Sequence, residues 1–198
     1  MAAIITNAHS LDYRDWHLPL RRDRITLREA LADMQRVGAQ QNEVPLMVQL
    51  VENPRYTLPG LTVFHGAVDL RQHDFIHLAL GRGLLPMDEA FTIGFTMGST
   101  NQVTTLEEDL FALVSKNLYP SFYQLGDDDL RVFRDAVRLG FISGCQPLDE
   151  VEFDHYLDLT LAETRQRIGL EVDLLLAYYA IEQRRFPESL ASRRLLDV

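Results

Sequence analysis

The sequence predicts an all-α protein, a single compact multi-helix domain covering residues 1–198. Three observations predict it. Apolar residues recur mostly at spacings of three and four, which puts them on one face of a helix, and strand-like alternation is scarce. Capping-box patterns, a Thr followed three residues later by a Glu, stand at the head of two apolar stretches. Proline or a glycine-containing turn closes most of the stretches.

Residues 1–22 read as an irregular end, with Pro19 and the pair Arg21–Arg22. Thr26 and Glu29 open a first helix that runs to about Val37. Pro45 opens a short helix, Leu46 to Val51, which Asn53–Pro54 closes. After a loop at 56–60, a helix from about Val63 or Gly66 reaches Leu80 and stops at Gly81-Arg82-Gly83. Pro86 leads into the next, from Met87 to about Met97. Thr105 and Glu108 then cap a helix with the apolar set Leu106, Leu110, Leu113 and Val114, ending near Tyr119–Pro120. Gly126–Asp127 starts another, with the stripe Leu130, Phe133, Val137 and Phe141. Two long helical stretches follow, about 148–168 and 170–185. Residues 187–198 form a second, less regular end. No internal repeat or long linker divides the chain.

Composition narrows the function classes. Hydrophobic residues make up 46% of the chain, enough for a core, which excludes global disorder. The formal net charge of −10, with no basic run longer than two, argues against nucleic acid. Cys145 is the only cysteine, so an intrachain disulfide and a thiolate zinc site are excluded, and its expected role is that of a small buried hydrophobe. The N-terminus lacks a charged region followed by a long apolar stretch, which predicts no signal peptide. The longest apolar run, Leu174 to Ile181, is far short of the roughly 20 residues that span a bilayer. The expected location is therefore the cytoplasm.

The residues that carry chemistry cluster at His73-Asp74-Phe75-Ile76-His77 and Glu89. At about 100° per residue, with His73 as zero, His77 lies near 40° and Asp74 near 100°. All three leave one third of a helix that is otherwise mostly apolar. Buried imidazoles and carboxylates need partners, since each unpaired polar group costs roughly 1–3 kcal/mol. A divalent cation satisfies them together, and histidines at i and i+4 are the usual helical spacing for two ligands of one ion. Nitrogen with carboxylate donors suits zinc first, and also iron or manganese. Glu89 opens the following helix after a connection short enough to fold back, which makes it the fourth candidate ligand. Gly94 and Gly98 would permit a close backbone approach, and Thr92 and Thr96 would line the pocket. Arg82, in the turn between the two helices, is a candidate for holding a carboxylate or phosphate head group, as are Arg71 and Arg55, the commoner alternative being pairing with surface acids. The ordinary alternative is a solvated turn bearing His73 and Asp74, with His77 bonded to a backbone carbonyl. His9, His17 and His65 are read in that ordinary way.

His73-Asp74-x-x-His77, eleven residues, then Glu89 resembles the signature of the coenzyme Q (ubiquinone) biosynthesis protein 4 family over about 30 residues. Asp88 stands where that pattern has a glycine. The resemblance implies that His73, Asp74, His77 and Glu89 are metal ligands in an all-helical protein. It implies peripheral association with the inner face of a membrane and membership of a biosynthetic assembly. It also implies removal of the ring carboxylate from a prenylated benzoate with installation of oxygen. The expected partners are then a prenylated quinone precursor or isoprenoid lipid, and proteins of that assembly.

Two further readings stand beside this one. Glu152-x-x-His155, with Asp158, has the same offset as Asp74-x-x-His77, and paired motifs of this kind build di-iron carboxylate bundles. A non-catalytic prenyl-lipid-binding or scaffold protein with a structural metal would instead close the coordination with all four side chains. Phe91, Phe95, Phe122, Phe133 and Phe141 would then line a tail tunnel or, as the commoner alternative, form core. The apolar face of helices 148–185 could also meet a second copy in a homodimer.

Overall fold

The computed structural model describes residues 16–38, 64–117 and 124–197. Every regular element among them is a helix: α1 (Leu27–Gly38), α2 (Leu70–Leu80), α3 (Pro86–Ser99), α4 (Thr105–Asn117), α5 (Asp127–Ile142), a 3-10 turn (Phe153–Tyr156), α6 (Leu161–Arg167), α7 (Val172–Arg185) and α8 (Leu190–Arg194). An isolated antiparallel bridge joins Thr26 to Thr160. None of the described helices is long and apolar enough to cross a membrane. The short helix expected at 46–51 and the first fifteen residues lie outside the described residues.

Most helix starts follow from side-chain caps. Thr26 and Glu29 form the expected box, with Glu29 Oε2 accepting from the Thr26 amide at 2.9 Å. The box at α4 is Thr104 with Glu107, one residue before the expected pair. Helix α2 starts at Leu70 rather than at 63–66, because Gly66 turns the chain at φ +81 and the Asp69 side chain caps the Gln72 amide.

The helix expected over 148–168 is broken: only Leu161–Arg167 is α-helical, after the 3-10 turn at Phe153–Tyr156. Its backbone is spent elsewhere: the carbonyls of Leu157 and Leu159 cap the first amides of α1, and those of Leu148 and Val151 accept from the Gln72 side chain. A further capping box, Thr160 with Glu163, opens the short α6 instead. Both ends are also better packed than expected, since Trp16, Leu18 and Leu20 at one end, and Ala191 and Leu195 at the other, are buried. In α7, Leu175 and Tyr179 are buried against the chain's own core, so that part of its apolar face is already covered.

Helix α3 is the centre, buried on nearly every side. It crosses α5 so closely that a Cβ at Gly98 would run into the Val137 carbonyl, and one at Gly140 into the Phe95 carbonyl. The close approach expected of Gly94 and Gly98 thus serves α5, not α2. On α5, Phe133 and Val137 are buried as expected, whereas Phe141 faces outward. On α4 the inward face is Phe111, Ala112 and Ser115, with Phe111 stacked on Phe133 at 4.7 Å. Leu106, Leu110 and Leu113 are exposed. Cys145 is a free, buried thiol.

Arg82, expected near a ligand head group, is instead fully buried. It donates to both Glu182 oxygens, at 2.9 and 2.6 Å, and lies against the rings of Phe91 (3.7 Å) and Tyr179 (4.3 Å), which meet edge to face. Burial disfavours its charge, but Glu182, Tyr179 and Asp88 outweigh that and hold the guanidinium protonated. Asp88 caps the Leu85 amide and accepts from Arg194 at 2.6 Å. Removing half of a buried pair strands the other charge, at about 3–5 kcal/mol, whereas replacing both halves with apolar groups is close to neutral. Arg82→Met should therefore lower the urea-unfolding free energy by about that amount, and Arg82→Met/Glu182→Leu should recover most of it. A double variant as unstable as the single one would show that the charge pairing is not what matters.

His17 Nε2 donates to the Gly81 carbonyl, 3.2 Å away, beside Asp88, Arg194 and Arg82. Burial, helped by the two arginines and opposed by Asp88 and the carbonyl bond, lowers its pKa from the ordinary 6.5 to about 4. The unfolded chain takes up this proton first as pH falls. The stability contribution is thus complete above pH 6.5 and lost progressively towards pH 4, by up to about 3 kcal/mol. His17→Gln should flatten the fall of Tm across that window, and an unchanged profile would refute the assignment.

Candidate metal centre

Helix α2 carries the two histidines on consecutive turns, and its C-terminal end is held from outside. Gly81 closes it at φ +67, where a Cβ would meet the Leu20 backbone. Arg165 donates to the carbonyls of Ala79, Leu78 and Leu20, and the Tyr179 hydroxyl to that of Leu80. The chain then reverses through residues 81–85, and α3 presents Glu89 in its first turn.

The three donor atoms converge. His73 Nε2 lies 2.9 Å from Glu89 Oε2 and 2.9 Å from His77 Nε2, which is itself 3.3 Å from Glu89 Oε2. No placement of ring protons makes all three contacts hydrogen bonds. Two Nε2 protons would oppose each other, and with fewer, one lone pair faces another. A cation at the centre removes the conflict. Bonds of about 2.0–2.2 Å would hold such atoms roughly 2.8–3.6 Å apart, which matches the spacing here. His77 is fully buried while Glu89 and His73 are partly exposed, so the trio opens to one side. Burial alone would raise the Glu89 pKa, but both imidazoles pull it well below the usual carboxylate range.

Thr92 and Thr96 sit behind this trio. The Thr92 hydroxyl is 3.4 Å from His77 Nδ1, and a proton on that nitrogen would donate to it and leave the Nε2 lone pair for an ion. Thr96 Oγ1 donates to the Thr92 carbonyl and lines the adjoining recess. Asp74, the fourth expected ligand, does not join the converging donors. Burial raises its pKa, countered by the nearby His73 and His77 and reinforced by Glu89.

The other sequence candidates lie elsewhere. Glu152 and His155 pair with each other at 3.0 Å, and both are largely exposed. Asp158 binds Arg28 and Arg71 binds Asp154, also on the surface. Arg55 and Phe122 lie outside the described residues. Phe91, Phe95 and Phe133 belong to the core, and the recess is walled by Phe64 and Phe111 instead.

That recess is small and partly open to solvent, and His73, Ile93, Thr96 and Met97 form one side. His65 lines it as well. The sequence gives His65 only an ordinary role, because residues 64–69 are non-helical and its partner, Glu107, is distant in sequence. No periodic signal links the two.

Comparison of the chain with protein-family models, with curated proteins and with solved structures returns no match. The case for the site therefore rests on its own geometry. Loss of an outer partner that orients a ligating histidine weakens metal binding about 10–100-fold. Thr92→Val should do so in a competitive chelator titration while changing Tm little, and unaltered affinity would remove Thr92 from this role.

Proposed function

We propose that His73, His77 and Glu89 hold one divalent metal ion that serves a prenylated aromatic acid or related quinone precursor, as in the ubiquinone-biosynthesis proteins whose signature these residues resemble. The observation that carries the reading is the convergence of three donor atoms of the right types beside an apolar-walled recess. Zinc is the first choice of ion, with iron and manganese compatible with the same donors. Bound there, the ion would act as a Lewis acid towards a carboxylate or phenolate oxygen.

The chain's own residues would do the rest. Thr92 holds the His77 tautomer, and His77 and His73 keep their lone pairs inward. Glu89, fixed as a carboxylate, lowers the net charge of the centre. Phe64, Ile93, Met97 and Phe111 shield the reacting end from water and receive the ring. Three donors with Asp74 standing aside leave a coordination position open, and this favours a working site over the closed four-ligand centre of a scaffold protein. The mutual, exposed pairing of Glu152 with His155 gives the di-iron reading no support. Proteins of a quinone-biosynthesis assembly, and a membrane surface that supplies the prenylated compound, are the partners this function needs.

Elemental analysis of natively purified protein beside His77→Ala tests the centre. The expected result is about one zinc, iron or manganese per chain, absent from the variant, with carbon dioxide release from a prenylated hydroxybenzoate lost in parallel. Full occupancy in His77→Ala would refute the metal assignment. Occupancy that vanishes, without turnover in either protein, would refute the decarboxylation alone.

A further inference from the structure

We infer that His65, oriented by Glu107, is the proton acceptor for a hydroxyl-bearing aromatic ligand bound in the recess beside His73. The inference rests on the reading of His73, His77 and Glu89 as a metal centre. It adds to that reading a base and a substrate class, phenols and catechols.

The geometry begins at the cap of α4. Glu107 Oε2 accepts from the Thr104 amide at 2.9 Å and from the Thr104 hydroxyl at 2.8 Å, which fixes the carboxylate on the helix end. Its other oxygen, Oε1, faces the 64–69 loop and accepts from the His65 amide at 3.3 Å and from the ring Nδ1 at 2.6 Å. Burial works against the charge of Glu107, but the Thr104 and His65 bonds outweigh it and keep the group ionised. An acceptor so fixed demands a proton on Nδ1, which makes Nε2 the lone-pair atom. The imidazole is only partly buried and lines the recess that His73 also lines. A carboxylate behind an imidazole, with the outer nitrogen towards a ligand cavity, is the arrangement that makes histidine a general base.

The recess defines the ligand. Phe64 and Phe111 meet edge to face at 5.6 Å, and Val68, Ile93 and Met97 complete an apolar wall. Its polar groups are the imidazoles and Thr96. A flat apolar ring carrying an ionisable hydroxyl meets both demands. In the step, the O–H bond breaks, its electron pair stays on the ligand oxygen, and the proton passes to His65 Nε2. The resulting imidazolium is balanced by Glu107. Nothing is oxidised or reduced, and the ligand becomes the anionic donor that a cation at the centre prefers.

The ordinary alternative is that His65 only ties the loop to α4. His65→Gln separates the two roles, because its amide N–H can still donate to Glu107 but cannot take up the proton. The test is an absorbance titration of zinc-loaded protein with 4-nitrocatechol, whose spectrum reports its own deprotonation, from pH 5.5 to 8.5. Metal content and Tm are measured on the same samples, and His65→Asn serves as a second variant if the first is unstable.

In the wild type the probe should bind in its deprotonated form below the pH at which it ionises free in solution. His65→Gln should keep its zinc and its Tm, bind the probe at least tenfold more weakly, and lose the low-pH deprotonation. Equal affinity and an equal pH profile in the variant, with zinc retained, would overturn the role of His65 and leave the metal centre standing. Loss of zinc or a large fall in Tm in both variants would mark the residue as structural and also overturn it. Failure of the wild type to hold zinc would overturn the metal centre and this inference with it.

Discussion

The arrangement depends on one desolvated ion pair, Arg82 with Glu182. Each is completely buried, and each would be prohibitive there alone. Together they bridge the turn after α2 to the end of α7, and the guanidinium sits in the corner formed by the edge-to-face rings of Phe91 and Tyr179. The consequence is positional. Arg82 lies five residues after His77 and seven before Glu89, so the pair fixes the hinge about which the two ligand-bearing helices face each other. Asp88, next to Glu89, is pinned by Arg194 and by its cap on Leu85. A charge network of this kind adds little net stability over an apolar core of the same shape. What it supplies here is a fixed geometry on the chemistry's side of the hairpin.

The same logic explains the end of α2. The last carbonyls of a helix have no partner within it, and a buried helix end without substitutes is costly. Arg165 and Tyr179 supply those substitutes from α6 and α7. Burial lowers the Arg165 pKa to about 10, so it is still charged at neutral pH. The histidines therefore ride on a helix whose axial position is set by hydrogen bonds from two other elements. Donors held this way converge without needing an ion to gather them, which is what a preorganised site requires.

How much of this was legible depended on whether the signal was local. The His73/His77 pair and its return partner Glu89 could be read because i, i+4 spacing and a short connection are local facts. The helices with apolar stripes and caps were legible for the same reason. At α4 two overlapping boxes, Thr104 with Glu107 and Thr105 with Glu108, offered the same pattern, and only the tether of Glu107 to His65 selects the first. Residues 148–168 read as helix by periodicity, but tertiary demand for their carbonyls overrode it. Arg82 looked like a ligand-binding residue because its partner, Glu182, is a hundred residues away. The long-range pairings were illegible for one reason: each satisfies a burial cost that exists only once the chain has folded.

The last step concerns the open side of the site. Helix α3 is buried almost all round, and after Pro86 its partly exposed positions are Glu89 and Ile93, one turn apart. Thr96 and Met97 continue the same strip at the next turn and line the recess. Donor and apolar wall are therefore successive residues of one helix surface. The opposite wall, the 64–69 loop with His65, is not helical and is tied down chiefly through Glu107 and the backbone of α3. A fixed floor that carries the donors and a separate wall that carries a further imidazole thus meet at one recess.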